Sequence, residues 1–98
     1  MRIVARSTLK KYAALHADAT MPLDGWYDVV HKAQWSTPQD VVAAFGTRVS
    51  ILPRNRAVFD IGGNNYRLVA VVLYRRKAVY VRFIGTHAEY DKINAATI

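Results

Sequence analysis

Two periodicities divide this chain. Through the first half, apolar positions recur at helical spacing; from about residue 48 they come in short runs and alternations. Leu9, Tyr12, Ala13 and His16 fall at i, i+3, i+4 and i+7 behind Ser7-Thr8, which offers an N-cap, and predict a helix over about 7–17. Met21-Pro22 opens a second helix, with Pro22 in or near its first turn and Leu23, Trp26, Tyr27, Val30 and Ala33 as its stripe. Thr37-Pro38-Gln39-Asp40 starts a third: Thr as cap, Pro at the first helical position and an acid in the first turn. Gly46 ends it with a left-handed residue. Trp35, beyond the second stripe, is a candidate interface residue. Residues 1–6 read as a short β-segment or tail.

The second half predicts strands at Arg48–Leu52, Arg56–Ile61, Tyr66–Tyr74 and Ala78–Ile84, the last three as an antiparallel meander. Gly62-Gly63-Asn64-Asn65 tolerate positive φ at little cost and form its first turn. If Ile61 and Tyr66 close that turn as a pair, Asp60 lies opposite Arg67 on one face. Tyr66–Tyr74 is nearly all apolar and reads as a central strand covered on both faces. Val79, Val81 and Phe83 fall on one face of the next strand, with Tyr80 and Arg82 on the other. Thr86 and Glu89 have capping-box spacing and predict a closing helix from His87 to about Ala96. This order defines an α+β fold over one domain, residues 1–98. Helices should pack on one face of the antiparallel sheet and leave a basic groove on the other.

Composition permits a core, with 52% hydrophobic and 21% charged residues. There is no apolar run of about 18 residues to span a membrane, and the N-terminus lacks the pattern of a secretory signal. The absence of cysteine excludes disulfides and thiolate metal sites and fits a cytoplasmic setting. Charge changes the picture more. The net charge is +7, and between Arg54 and Arg82 lie seven basic residues and one acid, Asp60. A basic sheet of this kind suits a polyanion, since each neutralised phosphate releases counterions.

Within that field Arg67 has two compatible roles, an ion pair with Asp60 and a planar fork for phosphate oxygens. Arg82, in an otherwise apolar strand, must face solvent or a groove. His87 follows the predicted N-cap, where the positive helix end disfavours the imidazolium and leaves a ring able to accept a proton. Tyr90 and Asp91 share its helical side, so Tyr90 is placed to stack on a base or bond a phosphate. His87 and Asp91 alone make a poor metal pair, and no metal or cofactor is expected. Arg54, Arg56, Arg75, Arg76 and Lys77 form a phosphate-tracking field, with Lys92 as a further contact and Asn64 and Asn65 at the turn where backbone approaches RNA. His16 and His31, on amphipathic stripes, read as packing residues.

The succession Phe59, Gly62-Gly63-Asn64, Arg67-Leu68-Val69-Ala70, Arg82 and Thr86-His87-Xaa-Xaa-Tyr90-Asp91 resembles the HigB branch of the RelE-like toxins. The resemblance covers most of the chain, and its specific part is residues 56–92. It implies a RelE-like fold, with N-terminal helices packed on a small antiparallel sheet and a C-terminal helix. It implies an endoribonuclease that cuts translated messenger RNA in the ribosomal A site and is silenced by a HigA-like antitoxin. His87, Arg67, Arg82 and Tyr90 would form its catalytic set. A basic module that binds RNA or the ribosome without cutting would carry the same charge signature. A DNA-binding domain is disfavoured, because none of the three helices is notably basic.

Overall fold

The meander expected from the alternation is the centre of the molecule. A computed structural model describes residues 1–98. Its elements are β1 (Arg2–Val4), α1 (Arg6–Leu15), α2 (Thr20–Lys32), α3 (Pro38–Phe45), β2 (Val49–Leu52), β3 (Arg56–Ile61), β4 (Tyr66–Leu73), β5 (Ala78–Thr86) and α4 (His87–Tyr90). The strand order is β1-β5-β4-β3-β2. Strands β2 to β5 are antiparallel, and Ile61 pairs with Tyr66 and Asp60 with Arg67, the register that the four-residue turn dictates. Gly62 and Gly63 take φ of 62° and 68°, which glycine adopts without steric cost. The sheet is mixed rather than purely antiparallel, because β1 adds a parallel edge along Ala78–Tyr80. Three residues are too short a run for their partner to be read from pattern.

On one face, Leu9, Leu23, Trp26, Val30, Val41 and Phe45 of the helices meet Phe59, Leu68, Ala70, Val72 and Val79 of the sheet. Phe59 is fully buried between Trp26 and Phe45, edge-to-face at 5.5 and 4.9 Å. Trp35 belongs to this core and packs on Phe45, so it is not an interface residue. The cap of α3 forms as its sequence requires, with Thr37 accepting from the Asp40 N–H and Asp40 accepting in return. For α1 the cap falls elsewhere. The helix begins at Arg6 behind Ala5, and neither Ser7 nor Thr8 caps it.

Two expectations for the other face are corrected. The closing helix is one turn, His87–Tyr90, and does not reach Ala96. Beyond it the chain lies against the sheet, with Ala95 buried on Val58 and Val69 beside Phe83, Tyr90, Ile93 and Ile98. That face is therefore largely covered and is no open groove. The cause is local: the Asn94 side chain accepts the Ala96 N–H, and its carbonyl accepts from Thr97 and Ile98. Such turns compete with helix propagation. A second departure lies in β5. Val69 pairs with Phe83 and Ala70 with Val81, so Arg82 is an unpaired bulge residue. The bulge reverses the side-chain phase, and Phe83 joins the second face instead of Val79 and Val81. No helix is long and apolar enough to cross a membrane.

Candidate active site

One end of the sheet gathers Arg67, Asn64, Asn65 and His87 among the residues singled out for chemistry. Arg67, first residue but one of β4, places Nε 3.2 Å from Asp60 Oδ1. Its Nη1 donates to the carbonyls of Tyr66 and Asn64, and its Nη2 to the Asn64 side-chain oxygen. A guanidinium has five N–H donors, so these contacts leave one for a ligand. The ion pair and the turn thus hold the fork rigid. Opposite Arg67 stands Gly85, whose missing side chain is required: a Cβ there would come 2.5 Å from Cζ of Phe83.

Strand β5 then delivers Thr86, the cap of α4, and His87 directly after it. The Thr86 hydroxyl accepts from the Glu89 N–H, and Glu89 Oε1 accepts from the Thr86 N–H at 2.8 Å. The bonds from Thr86 hold the Glu89 carboxyl below the usual carboxylate range. The His87 N–H donates to the Asn65 carbonyl at 3.2 Å, tying the helix start to the glycine turn. His87 Nδ1 lies 3.2 Å from Asp91 Oδ2, and both side chains are about half exposed or more. A proton on Nδ1 shared with Asp91 would leave Nε2 able to accept, with the ring held by that contact. Asp91 is the one carboxylate in contact with the His87 ring.

An aromatic cluster missed in the sequence backs this end on the helix side. His16, at the end of α1, stacks on Tyr12 with ring centroids 4.1 Å apart and stands edge-on to Tyr66 at 5.9 Å. Tyr66 pairs with Thr86 in the sheet and donates its hydroxyl to Asp18, which raises its pKa. Tyr12 donates to Glu89 Oε1 at 3.4 Å. Burial, followed by the Glu89 charge, pushes Tyr12 up to about 12. Reading His16 as a packing residue is right as to contacts, but a second histidine does stand at the His87 end of the sheet. Only the tertiary meeting of α1 with β4 brings it there, and local pattern carries no signal of that.

The other named residues separate. Arg82 is exposed at its bulge and lines a groove against α1 with Lys11 and Tyr12, whereas Arg67 sits at the turn with Asp60. No cavity is lined by both arginines, or by either with His87. The Tyr90 ring is half-buried against Val58, Val69 and Ala95. Arg54, Arg75 and Arg76 are exposed at the opposite end of the sheet, roughly 20 Å from Arg67, the six steps from Arg67 to Leu73 along β4 at about 3.3 Å each. Arg56 and Lys77 serve the fold: Arg56 donates to the Arg54 and Ile98 carbonyls, and Lys77 to the Trp35 carbonyl and the Ser36 hydroxyl. Lys92 is exposed just beyond α4. No three His, Asp or Glu residues come together in a metal-binding group.

Comparison with known proteins yields one family and several relatives. Residues 19–93 match the family described as HigB_toxin, RelE-like toxic component of a toxin-antitoxin system. An mRNA interferase HigB of Escherichia coli O6:H1 is 32% identical over 94 residues, covering 95% of this chain and 91% of the relative. The mRNA interferase toxin HigB of Escherichia coli K12 is 27% identical over 96 residues, covering 97% and 92%. An mRNA interferase HigB of Shigella flexneri matches to the same extent, 27% over 96 residues.

Proposed function

The chain belongs to the HigB family of RelE-like toxins, the toxic components of toxin–antitoxin systems, and on that footing we propose that it is an endoribonuclease cutting messenger RNA in the ribosomal A site. The names of its relatives support the substrate. The observation that carries the site is the union of Arg67, Asn64, Asn65 and His87 at one sheet end through the Asp60 ion pair and the His87–Asn65 backbone bond.

In this mechanism a ribose 2′-hydroxyl attacks its own 3′-phosphate. His87 Nε2 takes the hydroxyl proton, the bond from phosphorus to the 5′-oxygen breaks, and that oxygen leaves with a proton drawn from solvent or from the site. The products are a 2′,3′-cyclic phosphate and a 5′-hydroxyl. Asp91 orients the imidazole, and the remaining donor of Arg67 meets charge developing on the phosphate. Arg82 holds the strand from the α1 side, and Tyr90 positions the nucleotide. Arg54, Arg75, Arg76 and Lys92 supply the phosphate-binding field, with Arg56 and Lys77 contributing charge from their structural positions. No metal enters any step. A toxin of this class is paired with an antitoxin; we assign that partner to a HigA-like protein and the site of action to the cytoplasm, where ribosomes translate.

Induced expression in a bacterial host tests this reading. Growth should arrest, co-expression of the neighbouring antitoxin should relieve the arrest, and folded His87→Ala protein should be harmless. Folded wild-type protein without arrest would end the toxin mechanism. Arrest that persists with His87→Ala would favour a module that blocks ribosomes without cutting.

A further inference from the structure

The groove between α1 and β5 belongs to none of the roles above except through Arg82. Strand β1 pairs with β5 only along Ala78–Tyr80, so from Val81 onward the outer edge of β5 has no strand beside it. Helix α1 runs along that edge and turns Thr8, Lys11, Tyr12 and Leu15 towards it, at i, i+3, i+4 and i+7, the spacing of one helical face. Arg82, Phe83 and Ile84 form the facing wall of a cavity of about 400 Å³. Arg82 reaches this wall because the bulge leaves it unpaired.

The lining has the chemistry of a nucleotide site. It carries two cations, Lys11 and Arg82, and no acid. It offers the ring of Tyr12, held by its stack with His16 and its hydrogen bond to Glu89. Leu15, 83% exposed, lies on the rim and adds an apolar contact beside Tyr12. Cations beside aromatic rings bind single-stranded nucleic acid by pairing phosphate charge with base stacking. The Tyr12–Glu89–Thr86 bonds link this groove to the helix start that carries His87.

We propose that the α1–β5 groove binds a nucleotide of the same RNA strand next to the one being cut, with its phosphate on Lys11 and Arg82 and its base on Tyr12 and Leu15. The proposal rests on the ribonuclease reading of the sheet end. An antitoxin segment is the competing occupant; the absence of any acid from the lining, with two cations beside the Tyr12 ring, favours RNA.

Two measurements test it on the His87→Ala protein, which holds RNA uncut. With a single-stranded oligoribonucleotide as probe, Lys11→Glu and Tyr12→Leu should each weaken binding about tenfold to a hundredfold, the range of one lost stack or phosphate contact. Tyr12→Phe, which keeps the ring and loses only the Glu89 bond, should bind as the parent does. A photoreactive phenylalanine analogue at exposed Leu15 should cross-link to message on programmed ribosomes. Unchanged binding in Lys11→Glu and Tyr12→Leu, or cross-links to antitoxin and none to RNA, would overturn the assignment. Growth arrest by the wild-type protein reports separately on the ribonuclease reading, so the two failures are distinguishable.

Discussion

On the proposed mechanism Arg67 serves fold and site together. Asp60 and Asn64 fix a guanidinium that would otherwise sample many rotamers, leaving one donor aimed by the rest. Lysine has the charge but not the fork, so Arg67→Lys should lower the single-turnover rate by about two orders of magnitude or more if the donor meets the transition state. His87→Ala should cost about two to four orders, the usual worth of a general base. Asp91→Asn should lower the rate while leaving RNA affinity intact, because in the proposed mechanism Asp91 acts only through His87. Tyr12 has a different signature. Its folded pKa is raised to about 12 from 10.0, so its contribution to stability is complete below pH 10 and is lost as pH rises towards 12. Denaturant midpoints should fall over that window in wild type and fall less in Tyr12→Phe. The Asp60–Arg67 pair was legible because turn length fixes register. The place of His16 was not, since its partners Tyr66 and Glu89 are far along the chain and meet it only in the folded state.

Among the elements, the strands were legible because alternation and turn chemistry agree, and α3 because Thr37, Pro38 and Asp40 each favour the same helix start. Thr37→Ala should destabilise by about 1 kcal/mol, the common worth of a capping side chain, measured by urea unfolding. Asp40 and Glu89 both hold pKa values below their ordinary 3.8 and 4.5, through hydrogen bonds at the two caps. Their stabilisation is present above those ordinary values and is lost as pH falls through the lower folded ones. The bulge at Arg82 was not legible. It arises from the register in which β5 meets β4, and strict period-two reading assigns Phe83 to the wrong face. Gly85 was likewise silent in the sequence, although Gly85→Ala would drive a methyl into Phe83 and displace the strand that carries His87. That variant should lose stability and activity together. The start of α4 at His87 was legible from its capping box, but its early stop was not, because Asn94 forms its own turn and side-chain capping signals mark where a helix starts better than where it stops.

At the scale of the whole molecule, charge is spread along the sheet while the proposed chemistry is concentrated at one end. The exposed Arg54, Arg75 and Arg76 stand at the end away from His87, too distant for one nucleotide to touch both. Charge reversal at Arg75 and Arg76 should therefore weaken ribosome association and flatten its salt dependence, without moving the cut sites on RNA that remains bound. Affinity that ignores salt would mean that the net charge of +7 is incidental to recognition. The central claim is narrower: the end of the sheet that unites Arg67, Asn64, Asn65 and His87 cuts RNA by attack of the neighbouring 2′-hydroxyl. Single-turnover cleavage of ribosome-bound message in the presence of chelator, followed by analysis of the RNA ends, tests it most directly. The account predicts undiminished cleavage, 2′,3′-cyclic phosphate and 5′-hydroxyl ends, and loss of both with His87→Ala. Cleavage abolished by chelator, or products bearing 5′-phosphates, would contradict it.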